Sequence, residues 1–261
     1  MKIGVAIPCY KYHIPVLKRC LDSIEAQVFK PEIVVVSCSS SKREDLPEEL
    51  KNPASYSFPF EIIITEERKN AAQNRNIAAE HIRLKTQCEF ISFFDCDDVM
   101  HPQRMKAIAY AVVYHPEVGM IMHNFVKPEH SNKSFQFYET FDVTMNQLHN
   151  SHTGCADLNG YFVFEANAMN PNDLEKILSK TTNEDYHYCM KWHHLRHPRI
   201  HHSQMTVSRL IWEKVKFHEE ASYERREDSI FCGEVLGLPG IKTAYIFNPL
   251  SKYFEEGRTH E

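Results

Sequence analysis

Three carboxylates follow an apolar run in the stretch FISFFDCDDVMHP, residues 90–102. In an extended segment, residues two positions apart point to the same side, so Asp95 and Asp97 are expected to converge. Carboxylate oxygens suit hard divalent cations, and Mg²⁺ usually completes its shell with water and substrate phosphates. The spacing therefore predicts a Mn²⁺ or Mg²⁺ site facing a diphosphate. The alternative is that Asp97 or Asp98 caps the helix that contains Pro102.

The elements before this motif alternate between strands and helices, which predicts a parallel sheet covered on both faces. Short β-rich runs predict strands at 2–8, 32–37, 60–65 and 89–94, and apolar spacing predicts helices at 14–28 and 70–84. Ligands of such sheets bind outside the carboxyl ends of the strands. That edge should carry the following residues: Pro8, Ser37, Thr65 and Asp95.

After residue 100 the pattern changes towards a smaller antiparallel subregion. We expect a helix at 101–116, strands at 119–126 and 134–141, helices at 206–217 and 226–238, and a strand at 241–247. Residues 142–200 give no clear assignment. With no repeat or linker, we expect a single domain over 1–261, with a nucleotide-binding half at 1–100 and an acceptor-side half at 101–261.

Composition excludes several classes of protein. A net charge of −5 does not favour binding to nucleic acid. No apolar run approaches the roughly 20 residues that span a bilayer, so we expect no transmembrane segment. The start, MKIGVAIPCY, is typical of a strand rather than of a secretory signal. We therefore interpret the eight cysteines as reduced thiols of a cytoplasmic protein. Such a protein could also lie at the cytosolic face of a membrane.

Several motifs in order resemble one family. Residues 6–37, AIPCYKYHIPVLKRCLDSIEAQVFKPEIVVVS, resemble the first strand–helix–strand of family 2 glycosyltransferases, which have the GT-A fold. The DCDD sequence matches their Asp-x-Asp motif after the fourth strand. NAAQNRNIAAE (70–80) matches an Ala-Arg-Asn segment, and ERREDSIFCGEVL (224–236) matches a Glu-Asp segment.

The resemblance implies an inverting transfer of a sugar from a nucleoside-diphosphate sugar, with UDP favoured, to a hydroxyl of a glycan or other acceptor. Asp97 would chiefly hold the cation, Asp95 would touch the cation or the ribose, and His202 or His201 would complete the shell. Asp228 would be the general base, and Glu227 would position the acceptor. The resemblance assigns the donor site to Pro8, Tyr10, Ser37, Ser39, Asn70, Arg75, Asp95 and Cys96.

Two departures from the family bear on the donor. Lys11 stands where the family usually has Asn, and the second strand ends in SCSSS rather than in aspartates. Ser37 or Ser39 can hydrogen-bond a base but brings no charge. The nucleotide therefore stays open, while the metal site is unaffected.

Sixteen histidines are an unusual number, and they cluster between His187 and His202. Cys189, His193, His197 and His201 recur at steps of four, as a Zn²⁺ site on one helix face would require, but Pro198 would break that helix. An acceptor-side surface on which Trp192 stacks against a sugar is the preferred interpretation. Near the C-terminal end, three residues could close over the diphosphate: Lys252, Tyr253 and Arg258.

Two other functions compete with glycosyl transfer. FFDCDDV also resembles the nucleophile motif of haloacid-dehalogenase phosphatases, although that motif usually lies on the first strand of its fold, and here three strands precede it. A degenerate transferase that only binds a glycan or a nucleotide is the non-enzymatic alternative.

Overall fold

A computed structural model of the protein describes residues 1–126, 161–165, 204–220 and 227–254. In this part of the chain, nine strands form one mixed sheet. The strands are β1 (Ile3–Tyr10), β2 (Ile33–Ser39), β3 (Phe60–Thr65), β4 (Phe90–Phe93), β5 (Val99–Met100), β6 (Val118–Val126), β7 (Tyr161–Glu165), β8 (Thr206–Ser208) and β9 (Lys242–Lys252). Their order is β3-β2-β1-β4-β8-β6-β9-β5, and β7 also pairs with β9.

Six α-helices lie among the described residues and cover the sheet. They are α1 (Ile14–Glu25), α2 (Glu48–Lys51), α3 (Ala71–Lys85), α4 (Arg104–Tyr114), α5 (Arg209–Lys214) and α6 (Glu227–Gly237). The first four strands in the order are parallel, with β1 pairing β2 from Gly4↔Ile33 to Tyr10↔Ser39 and pairing β4 on its other side. Strand β8 joins β4 and β6 in antiparallel fashion.

Alternation along β1 divides the core between the two faces of the sheet. Val5 and Ile7 lie in the apolar cluster that contains the buried face of α1, whereas Ala6 lies in the cluster that contains α3. This period of two is what a strand buried on both faces requires. Gly4 lets α3 approach β1 closely, because a Cβ atom there would lie 2.6 Å from Ile82 Cγ2.

Most predicted elements are confirmed, with ends that differ by a few residues. The helix predicted at 14–28 ends at Glu25, and the one predicted at 101–116 begins at Arg104. The strand predicted at 134–141 lies outside the described residues. The sheet continues across the predicted boundary between the two halves near residue 100, because β4 pairs with β8. The single domain over 1–261 stays a prediction.

The helix predicted at 206–217 is partly wrong. Thr206, Val207 and Ser208 form β8, because their β-branched residues insert between β4 and β6. Helix α5 then begins after Ser208, whose side chain accepts a hydrogen bond from the backbone of Ile211. Strands β5 and β7 were not predicted, since one has two residues and the other lies in the unassigned region.

Candidate active site

A cleft of about 650 Å³ opens at the carboxyl ends of β1 and β4. Seven residues predicted from sequence line it: Pro8, Tyr10, Asn70, Arg75, Asp95, Cys96 and Asp97. They come from β1, the start of α3 and the turn after β4, which the parallel order brings to one edge of the sheet. The predicted location of the site is therefore where the described residues form a cleft.

The turn after β4, residues 95–98, carries three carboxylates, and we call it the acidic turn. One oxygen of each of Asp95, Asp97 and Asp98 lies within 4.8 Å of the others. Burial and the charge of Asp95 raise the pKa of Asp97 to about 6. Burial and both neighbouring acids raise the pKa of Asp98 well above its ordinary value. An all-oxygen donor set of neighbouring carboxylates fits a hard divalent cation.

The capping alternative for these aspartates is wrong. The residue that precedes α4 is Gln103, and its side chain makes no capping hydrogen bond. Asp98 is instead fully buried, and its Oδ1 accepts a hydrogen bond from the backbone N–H of Phe254 at 3.1 Å.

Arg75 joins the acidic turn to α6. Its Nη2 lies 2.8 Å from Asp95 Oδ1 and its Nη1 lies 2.8 Å from Glu227 Oε1, with 5% of the Arg75 side chain exposed. Burial alone would lower the pKa of the Arg75 guanidinium, but Asp95, Glu227 and Asp228 together raise it. Arg75 is therefore a buried ion-pair partner rather than a solvated helix charge, and the charge of Asp228 acts on it.

The start of α3 fixes where Arg75 points. Asn70 and Gln73 form a capping box, in which Asn70 Oδ1 accepts from the Gln73 N–H at 2.9 Å and Gln73 Oε1 accepts from the Asn70 N–H at 3.0 Å. Such reciprocal bonds satisfy donors that a helix start leaves unpaired. They set the first turn of α3 and, one turn later, the position of Arg75.

Beneath the cleft, the end of β2 is joined to α3 by a neutral hydrogen-bond network. Ser37 Oγ donates to Asn74 Oδ1 at 2.9 Å, and Asn74 Nδ2 donates to Ser39 Oγ at 3.0 Å. Ser39 Oγ also donates to the carbonyl of Lys69 at 3.2 Å. Both serines are fully buried, so each of these hydroxyls is engaged inside the protein.

The family model of glycosyl transferase family 2 matches residues 4–166, which is more than half of the chain. This chain belongs to glycosyl transferase family 2. The family 2 assignment covers β1 to β7 and includes the acidic turn. The haloacid-dehalogenase alternative loses its support, because the motif follows the fourth strand of a family 2 chain.

Solved structures similar to this family 2 chain have the GT-A fold. TarS of S. aureus (residues 1–349, in complex with UDP) is 15% identical with a TM-score of 0.57, over 97% of this chain and 60% of that one. Its complex with UDP-GlcNAc gives 14% identity and a TM-score of 0.56, over 100% and 60%. The mannosyltransferase PcManGT from Pyrobaculum calidifontis, in complex with GDP-Man and Mn²⁺, gives 16% and 0.54, over 98% and 58%.

The predicted GT-A fold is thereby confirmed, and the chain spans about 60% of the length of these structures. A comparison with curated protein sequences finds no match. Among the helices in the described ranges, none has the length and apolar character needed to cross a membrane. All six cysteines in the same ranges are free and buried, which agrees with reduced thiols.

The structure separates the remaining predicted residues of the family 2 site into three groups. Ser37 and Ser39 do not line the cleft, and they support Asn74, which does. Glu227 and Asp228 begin α6, and Glu227 is largely buried against Arg75. His202 lies outside the described residues, as do His201, Trp192, Arg258 and the rest of the histidine cluster.

Several cleft residues were not singled out from the sequence. Tyr12, His13, Arg68, Lys69 and Asn74 also line it. Asn74 lies one helical turn after the cap Asn70, so the helix period could have placed both on one face. Tyr12 packs edge-on against Tyr10, with ring centroids 5.4 Å apart.

Proposed function

We propose that the protein is an inverting glycosyltransferase that moves a sugar from a nucleoside-diphosphate sugar to a hydroxyl of a glycan or other acceptor. The observation that carries this proposal is the Arg75 bridge. One guanidinium contacts Asp95 of the acidic turn and Glu227 in the first turn of α6, so the turn that would bind the cation is joined through Arg75 to the helix turn that carries the candidate base.

The donor would lie along the carboxyl ends of β4 and β1, towards the start of α3, where Asn70 and Asn74 line the cleft. Tyr10 offers an aromatic face on the way, and Arg68 and Lys69 add positive charge at the rim. UDP is the favoured nucleotide, since TarS was solved with UDP.

The donor set of the acidic turn fits Mn²⁺ or Mg²⁺, with Asp97 and Asp95 as the residues that would hold the ion. A bound cation of this kind neutralises the charge that a departing diphosphate develops. Asp95 also accepts the hydrogen bond from Arg75, which fixes one of its oxygens and orients the carboxylate. His202 remains a candidate further ligand.

Asp228 is the proposed general base. It would remove the proton of the acceptor hydroxyl while the oxygen attacks the anomeric carbon and the bond to the diphosphate oxygen breaks, its electron pair leaving with the nucleotide. A base of this kind typically contributes about 10²–10⁴-fold to the rate. Glu227, whose Oε1 accepts from Arg75, would hold the first turn of α6 and so position Asp228.

The test is turnover of nucleotide sugars by the purified protein. We expect Mn²⁺-dependent release of nucleoside diphosphate from one or more of UDP-, GDP- and CDP-sugars, and its loss in Asp97→Asn. Asp45→Asn, at an exposed acid that does not line the cleft, is the control and should keep the activity. Mn²⁺-dependent binding without turnover would instead support the degenerate, binding-only alternative, and activity that survives Asp97→Asn would contradict the metal assignment.

A further inference from the structure

Three segments that are remote in sequence meet behind the acidic turn. Arg19 of α1 donates from Nη2 to the backbone carbonyl of Asp97 at 2.7 Å. Its guanidinium carbon also lies 3.8 Å from the centroid of the Phe254 ring. The backbone N–H of Phe254 donates to Asp98 Oδ1 at 3.1 Å. Arg19 and Phe254 thus contact each other, and each holds one residue of the turn.

The chain around Phe254 is itself anchored. Strand β9 ends at Lys252, where it pairs with Val99, and the preceding Ser251 pairs with Met100. These partners form β5, which follows Asp98 directly. The stretch that ends at Phe254 therefore runs beside the turn on a hydrogen-bonded path, and its position is fixed on two sides.

The hydrogen bond from Arg19 to the turn is accepted by the backbone carbonyl of Asp97. A guanidinium placed against the Asp97 carboxylate would compete with a cation for the same oxygens. Bound to the backbone instead, it fixes the turn and leaves the side chain of Asp97 among the residues that line the cleft. Asp98 does not line the cleft, because it is fully buried and its Oδ1 accepts from Phe254, although one of its oxygens lies within 4.8 Å of those of Asp95 and Asp97.

We propose that Arg19 and Phe254 are positioning residues for the cation site and that Asp98 anchors the turn rather than binding the ion. The inference rests on the proposed metal-assisted function. It divides the three carboxylates into two that face the ligand, Asp95 and Asp97, and one that secures the loop from behind.

The charge of Arg19 and its positioning role predict opposite changes in Mn²⁺ affinity when Arg19 is replaced, so the inference can be tested with Mn²⁺ alone. Removing a positive charge near the ion should tighten Mn²⁺ binding by relieving repulsion. Losing the hydrogen bond that sets the turn should weaken it. We expect Arg19→Met to raise the Mn²⁺ dissociation constant about tenfold, the effect of losing one charge-assisted hydrogen bond.

The matched control is Lys18→Met, which removes the same charge from the neighbouring position. Lys18 is exposed and pairs with Asp22 at 2.7 Å on the outer side of α1. We expect Mn²⁺ binding by this variant to change less than about twofold, since exposed pairs contribute little. Titration with Mn²⁺, followed by the electron paramagnetic resonance of the free ion, measures both constants, and circular dichroism verifies that both variants fold.

An unchanged or tighter Mn²⁺ constant in Arg19→Met would overturn the positioning role. If this variant does not fold, Arg19→Lys keeps the charge but loses the guanidinium, so weaker Mn²⁺ binding in it would reflect lost positioning and support the role, whereas unchanged binding would overturn it. No Mn²⁺ binding by the unmodified protein would overturn the metal assignment together with the positioning role, and this result is distinct from equal binding by both proteins.

A second pair of variants tests the division among the aspartates. Asp98→Asn keeps an oxygen that can accept from Phe254, so we expect Mn²⁺ affinity to fall less than about fivefold, while Asp97→Asn should lose about 100-fold or more. Equal losses in the two variants would show that Asp98 binds the ion and would overturn the proposal.

Discussion

Arg75 and Glu227 lie 152 positions apart in sequence, and their side chains are joined by a 2.8 Å ion pair in the interior. The pair connects α3 to α6, and the other end of the same guanidinium holds Asp95. Glu227, whose side chain is 10% exposed, has little access to bulk water as a replacement partner, whereas Asp95 lines the cleft and is 27% exposed.

Replacing Arg75 by Met should therefore be strongly destabilising. The largely buried Glu227 and the partly exposed Asp95 would lose their partner, and breaking a buried ion pair on one side typically costs about 3–5 kcal/mol. Urea unfolding measures the change. Arg43→Met, at an exposed arginine, is the control and should change stability by less than about 0.5 kcal/mol. A loss below about 1 kcal/mol in Arg75→Met would contradict this account of the bridge.

Asp228→Asn should reduce kcat by about 10²–10⁴-fold while leaving the donor dissociation constant nearly unchanged, because a general base acts in the transition state and not in donor binding. Glu234→Gln is the matched control on the same helix, since Glu234 pairs at the surface with His218. Its kcat should stay within about twofold of the unmodified value. A fall in donor affinity that accounts for the whole effect in Asp228→Asn would argue against its role as base.

The lowered pKa of Glu80 predicts that the folded protein loses stability in acid. The hydrogen bond from Arg83, aided by Lys216 and opposed by burial, lowers the pKa of Glu80 from 4.5 to about 2. A lowered carboxyl pKa stabilises the fold fully above pH 4.5, and the contribution is lost as the pH falls towards 2. With 38% of the Glu80 side chain exposed, solvent screening limits the effect to about 1 kcal/mol.

Glu80→Gln should accordingly be less stable than the unmodified protein at pH 7, and the difference should shrink between pH 4 and pH 2.5. Thermal or urea unfolding at each pH measures it. Glu66→Gln removes an exposed carboxylate, 74% exposed, and should give no such convergence. A constant difference across this range for Glu80→Gln would show that its carboxylate is not stabilised by Arg83.

Gly4→Ala should destabilise the fold by about 1–3 kcal/mol, the usual cost of overpacking a core. The added methyl group would lie 2.6 Å from Ile82 Cγ2 and 3.2 Å from Cys88 Sγ. Gly237→Ala is the control, because a Cβ there meets no atom within 4 Å and lies at the end of a helix. Its stability should be unchanged or slightly higher in urea unfolding. Equal stability of the two variants would mean that β1 and α3 can separate at no cost.

The first half of the fold was predictable because its signals are local. Continuous β-branched runs such as residues 33–36 identify strands buried on both faces, and the rule that ligands bind at carboxyl ends brings Pro8, Asp95 and Asp97 together. The capped, alanine-rich segment that begins at Asn70 likewise indicated a helix at the site.

The misses arise from contacts that no local pattern encodes. A two-residue strand such as β5 exists only because β9 pairs with it. Ser37 and Ser39 were assigned to the donor because of their place at a strand end, but α3 packs over that end and Asn74 takes both hydroxyls. The contacts of Arg19 and Phe254 join positions more than two hundred residues apart, and their sequence context is unremarkable.

Strand β9 hydrogen-bonds along its length to three different partners. Its first half lies between β6 and β7, and its second half reaches β5, immediately after the aspartates. Although register shifts interrupt its ladder with β6 near Asn124, β9 has a hydrogen-bonded partner at both of its ends. The backbone of β9 therefore connects β7 with β5, which directly follows the acidic turn, without an intervening side chain.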